Sequence, residues 1–125
     1  MPPADPVPAP TGVTVLKPPA EIDLDNAGAL RDEMLSTLNR EGAHLVVDAL
    51  DVTFMDSSGV NALVRARERA VALDGSLHVV STSPGVVRVL RITSLDRRLG
   101  LVPTLADAFR CLSDRTAIHS CQGPV

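Results

Sequence analysis

The chain is poor in aromatic residues, with no Trp, no Tyr and two Phe among 125 residues. This excludes the aromatic platforms on which bases and sugars stack, and it requires a core built from Val, Leu, Ile and Ala. There is one lysine, Lys17. A phosphate-binding loop of the Gly-Lys-Ser/Thr type therefore has no lysine where it needs one. No apolar run is long enough to span a bilayer. The N-terminus has neither a basic segment nor an apolar one, so no secretion signal is read and the expected location is the cytoplasm. With 12 basic and 15 acidic residues and a formal charge of −3, nothing argues for nucleic acid or an anionic membrane as partner. The two cysteines, Cys111 and Cys121, are too few and too far apart for a zinc site. A reversible disulfide between them is geometrically open, but reduced cytosolic thiols argue for two unrelated groups. No metal and no cofactor are expected.

What remains is enough for one domain with a single sizeable core. Residues 1–11 hold five prolines and read as a disordered, Pro-rich lead-in. The domain proper is placed at 12–114, with a polar, flexible tail over 115–125. Gly12 to Leu16 is short and β-branched and reads as a strand that Pro18-Pro19 stops. Asp25 is the expected N-cap of a helix from about Asn26 to Arg40, with Leu30, Met34, Leu35 and Leu38 on its apolar face. His44 to Leu50 reads as a buried strand and Ser76 to Ser81 as another. Ser83 is the expected cap of a helix with Pro84 in its first position; its apolar face comprises Val86, Val87, Val89, Leu90 and Ile92. Leu101-Val102 fits a short last strand, and Thr104 to Leu112 a closing helix. Alternating strands and helices, with strands that are nearly continuous apolar runs, describe an α/β sheet covered by helices.

The most informative stretch lies between the central strand and the next helix: Phe54-Met55-Asp56-Ser57-Ser58-Gly59. Val60, Leu63, Val64 and Val71 follow at helical spacing, with Ala62, Ala66 and Ala70 between them, while arginines occupy the other face. Asp56, Ser57 and Ser58 are all helix-capping residue types, and Gly59 permits a tight turn and close approach to a neighbour. Free N–H groups and the helix dipole favour negative charge at such a position. A phosphate on Ser57 would add about −1.5 to −2 of charge, beside the like charge of Asp56. The simpler reading is a cap that is never modified.

Enzyme readings fail on missing parts. Met55-Asp56-Ser57-Ser58-Gly59 lacks the first Gly of a nucleophile elbow. His44, His78 and His119 are not obviously placed to serve Ser57 as a base. A metal-dependent Asp phospho-acceptor of the receiver type could draw acids from Glu21, Asp23 and Asp56, but no lysine follows late in the chain. Catalysis by this chain alone is not expected.

Four segments carry a family resemblance: Ala20-Glu21-Ile22-Asp23, Leu45-Val46-Val47-Asp48, Val52 to Val60, and Leu90-Arg91-Ile92-Thr93. Together they resemble the STAS domain, in particular the bacterial anti-sigma factor antagonists, over about residues 12–112. The resemblance implies a single α/β domain with a mixed, mostly parallel sheet and about four helices. It also implies partner switching in transcription regulation under stress. The unphosphorylated form binds an anti-sigma factor that is also a serine kinase of the GHKL fold, and so releases a sigma factor. The kinase phosphorylates the first serine of Asp-Ser-Ser-Gly, here Ser57, and a serine phosphatase resets it. Partner binding would then fall to Asp23, Asp56, Ser57, Ser58 and Gly59. Asp56 would flank the acceptor, Ser58 would help cap the helix, Gly59 would leave room for the kinase, and Asp23 would contact the partner. Two departures stand out: Ala20 replaces the family's loop glycine after Pro18-Pro19, and the family's extra N-terminal strand is not evident. A STAS scaffold or ligand sensor without phosphorylation control is the alternative, and a homodimer is left open.

Overall fold

The computed structural model of the chain describes residues 9–113. Most of the expected lead-in, the whole expected tail, His119 and Cys121 lie outside the described residues. In chain order the elements are β1 (Val13–Leu16), β2 (Glu21–Ile22), α1 (Leu24–Glu41), β3 (His44–Asp48), β4 (Phe54–Met55), α2 (Ser57–Ala72), β5 (Ser76–Val80), α3 (Pro84–Ile92) and α4 (Leu105–Ser113).

β1, β3 and β5 form a parallel sheet with β3 in the middle. The expected last strand is reduced to one parallel bridge, Val102 to Val80. Strand alternation sorts the core into two layers, as a period of two requires. Leu45, Val47, Leu77 and Val79 join α1, α2 and α3 on one face, whereas Val46 and Val80 join Phe109 and Ala108 of α4 on the other. Both faces are covered, and this is why the central strand β3 is a continuous apolar run from Leu45 to Val47.

β2 and β4 are two residues each and pair in parallel. They continue the β1–β3 pairing after an interruption at Pro18 and Pro19, which have no N–H to donate to a ladder. Val13 is opposite His44, but Glu21 is opposite Phe54, so the second segment takes in two extra residues between the ladders. Those residues form a turn: the Leu50 amide donates to Asp48 Oδ1 at 3.2 Å, and the Val52 amide donates to the Ala49 carbonyl at 3.1 Å.

Several expectations are corrected by the tertiary structure. α1 starts earlier than expected, because its N-cap is Asp23 and not Asp25. Asn26 decides between the two: its Oδ1 accepts from the Asp23 amide at 2.9 Å, and Asp23 accepts from the first-turn amides in a capping box. Ser83 occupies the N-cap of α3 but makes no side-chain cap bond. Val71 and Ile92, assigned to apolar faces, are exposed; Ala70 and Leu90 near them are fully buried and Leu73 and Leu95 beyond them pack on the core, so each lies to the side of its helix's buried face.

His78 on β5 is half-buried, and burial pushes its imidazole below the ordinary histidine pKa. The Gly100 carbonyl, 3.4 Å from Nδ1, pulls the other way, and His44 adds a smaller repulsion. A lowered folded-state value means the unfolded chain binds the proton more readily. The stabilisation is therefore complete above the unfolded value of about 6.5 and is lost as pH falls through that range toward the folded value. Thermal melts of wild type and His78→Gln between neutral and mildly acidic pH should show the smaller acid-side loss in the variant. Equal losses would remove His78 as the source.

Candidate functional site

The β2–β4 ladder ends with Ile22 opposite Met55, and the Asp56 amide donates to the Ile22 carbonyl at 3.1 Å. The next residues, Asp23 and Asp56, therefore sit side by side. Each is the N-cap of the helix that follows. Two aspartate-capped helix starts are thus brought together, with Leu24 opening α1 and Ser57 opening α2, and the two helices pack against each other.

At α2 one oxygen of the Asp56 carboxylate caps the helix. Oδ1 accepts from the Ser58 amide at 2.8 Å and from the Gly59 amide at 3.4 Å. The Asp56 carbonyl takes the Val60 amide at 3.1 Å. The sequence suggested free N–H groups that would welcome an anion; here the cap already uses two of them, those of Ser58 and Gly59. Ser58 contributes its backbone amide to this cap, and the capping side chain is that of Asp56. Ser57 is exposed, with its hydroxyl open to solvent, while Asp56 and Ser58 are half-buried.

Gly59 is buried and faces inward. A Cβ there would stand 2.6 Å from Met55 Cγ and 2.7 Å from Ile22 Cγ2. Its lack of a side chain lets the first turn of α2 lie directly on the β2–β4 ladder. The expected room for a kinase is instead taken by the chain's own core. Ala20, where a loop glycine was expected, accepts from the Thr53 amide at 2.8 Å, so the loop enters the ladder without that glycine. On the other flank, a Cβ at Gly85 would lie 2.8 Å from the Thr53 carbonyl, which sets the start of α3 against β4.

The surface around Ser57 is acidic and partly apolar. Of the carboxylates at 21–25 and 51–56, only Asp51 is in an ion pair among the described residues, with Lys17 at 3.1 Å. That pair lies in solvent and contributes little. Phe54 is 49% exposed and Leu24 79% exposed. Phe54 and Glu21 are an opposed pair on the ladder, and both side chains face outward. Sequence reasoning named the acids and the hydroxyls but missed Phe54 and Leu24; an aromatic residue in an otherwise aromatic-poor chain was the available signal. Among the described residues no group of three or more His, Cys, Asp or Glu is placed to hold a metal ion, and no helix is long and apolar enough to cross a membrane.

Comparison with known proteins agrees with this geometry. Residues 6–108 match the STAS domain family. The chain belongs to the STAS domain family. The anti-sigma-B factor antagonist of Bacillus subtilis (strain 168) is 33% identical over 75 residues, which covers 60% of this chain and 68% of that protein. The crystal structure of an anti-sigma factor antagonist from Mycobacterium paratuberculosis superposes with a TM-score of 0.75 at 32% identity, covering 82% of this chain and 87% of that one. The anti-sigma factor antagonist SpoIIAA, in its unphosphorylated form, shares the fold with a TM-score of 0.67 at 19% identity, over 93% of both chains. The mostly parallel sheet and four helices of this STAS domain are those that the sequence resemblance implied.

Two substitutions test how the site is built. Asp56→Ala removes the cap acceptor and should lower unfolding free energy by about 1 kcal/mol in urea titrations. Gly59→Ala sets a helix-propensity gain of up to about 1 kcal/mol against overpacking of about 1–3 kcal/mol. Ile22 and Met55 are both buried, so the clash should win and leave the variant less stable by about 1 kcal/mol. A stabilised Gly59→Ala would show that the ladder yields easily.

Proposed function

We propose that this STAS domain is an anti-sigma factor antagonist whose binding is switched at Ser57. The unphosphorylated form binds an anti-sigma factor of the GHKL serine-kinase fold and thereby releases a sigma factor. The kinase phosphorylates Ser57, and a serine phosphatase resets the protein. The chain acts as a binding partner and performs no reaction of its own.

The observation that carries this reading is the contrast between Asp56 and Ser57. Asp56 is committed to the helix, whereas Ser57, in the first position of α2, presents its hydroxyl to solvent. A kinase can reach it without unfolding anything. A phosphate there would not be absorbed by the helix, because the Ser58 and Gly59 amides already bond Asp56. It would stand out as about two added negative charges among Asp23, Asp25 and Asp56. Phe54 and Leu24 supply the apolar contact that an interface core needs, and Asp23 and Ser58 lie within the same surface. Gly59 acts from beneath by seating the acceptor helix.

Incubation with the cognate anti-sigma kinase and ATP should add one acid-stable, hydroxylamine-resistant phosphate to wild type and none to Ser57→Ala. Ser57→Glu should bind the anti-sigma factor at least about tenfold more weakly than wild type, a difference of about 1.4 kcal/mol. Equal binding by wild type and Ser57→Glu would instead favour a scaffold without phosphorylation control. Phe54→Ala should weaken the unphosphorylated complex by about 1–2 kcal/mol or more in calorimetry, as a buried aromatic anchor does.

A further inference from the structure

At the end of the sheet where β3 and β5 begin, a cleft of about 540 Å³ opens between the C-terminal end of α2, the segment before Gly100, and α4. It lies far from Ser57. α2 starts at Ser57 and reaches the cleft with Val71, so the two ends are separated by roughly the helix length of about 20 Å.

The cleft concentrates positive charge in a chain whose formal charge is −3. Arg67, Arg97 and Arg98 line it, and among the described residues Asp74 is the one acidic residue that does. Among the described residues none of these three guanidinium groups is in an ion pair. Arg67 is half-buried, and Arg97 and Arg98 are exposed. Exposed Val71 and half-buried Leu112 give the same cleft an apolar lining.

These features select a ligand class. The volume lies in the range of small-molecule sites, about 300–1,000 Å³. A concave site suits a compact anion better than a nucleic acid, which the acidic remainder of the chain repels. No Phe, Tyr or Trp lines it, so a nucleotide base would find no stacking partner. Guanidinium forks match a carboxylate in plane, and Val71 and Leu112 suit an alkyl chain. We infer that this cleft binds a small amphiphilic carboxylate, with its head among Arg67, Arg97 and Arg98 and its chain against Val71 and Leu112. This site is independent of phosphorylation at Ser57.

Titration of the full chain with sodium octanoate, followed by amide NMR shifts, tests the inference. Saturable shifts should appear at Gly75, Ser76 and Gly100, while Ser57 and Ser58 stay unmoved. Octan-1-ol, which has the chain without the charge, and inorganic phosphate, which has charge without the chain, should each bind at least about tenfold more weakly. Arg97→Gln/Arg98→Gln should weaken octanoate by about tenfold or more, with its unshifted amides elsewhere confirming the fold. Absence of saturable shifts, equal binding of octanol or phosphate, or undiminished binding by the double variant would each overturn it.

Discussion

The site depends on a two-residue ladder that could not stand alone. β2 and β4 pair over Glu21–Ile22 and Phe54–Met55 only, far short of what an isolated ribbon needs for stability. They persist because the β1–β3 sheet delivers both segments already aligned, and because Ile22 and Met55 are buried beneath Gly59. Removing that pairing would separate Asp23 from Asp56. Ser57 is therefore held in place by a short continuation of the main sheet, and Gly59 is the point at which helix and ladder touch.

This arrangement separates two tasks that the cluster of hydroxyls and acids makes look like one. Capping α2 is done by Asp56, which accepts from the Ser58 and Gly59 amides. Ser57 is left over, in helical register but without a structural duty, and its exposure follows from its position at the rim of the ladder. A serine required as the cap could not be modified without weakening the helix, whereas a serine beside a capping aspartate can change charge while the helix stays formed.

Much of the fold was legible because its signals are long and regular. The apolar runs of β3 and β5 and the apolar stripe of α2 identified the layers, and Asp56-Ser57-Ser58-Gly59 marked the start of α2 correctly. Two-residue strands have no period to detect, so β2 and β4 read as loop. Asp23 and Asp25 are equally good caps by residue type; only the reciprocal bond from Asn26 chooses between them. Val71 and Ile92 are apolar but lie to the side of the buried faces that hold Ala70 and Leu90, and residue type alone does not show where a helix's buried face ends. Arg67 and the Arg97-Arg98 pair come together only in the folded chain, so no reading of spacing could join them.

Helix α2 joins the two ends of the molecule, and its own charge pattern follows its direction. Its first turn carries no basic residue and starts from Asp56, while Arg69 lies in its last turn after Arg65 and Arg67. Acid at the N-terminus and base at the C-terminus both complement the helix dipole, so this ordering stabilises the helix as it polarises the domain. At the acidic end the Ser58 and Gly59 amides are already bonded to Asp56, so on the proposed reading a phosphate on Ser57 would add to the negative charge there. At the basic end three arginines and, among the described residues, one acid line the cleft. On the two readings proposed above, one helix would set opposite responses to negative charge at its two ends.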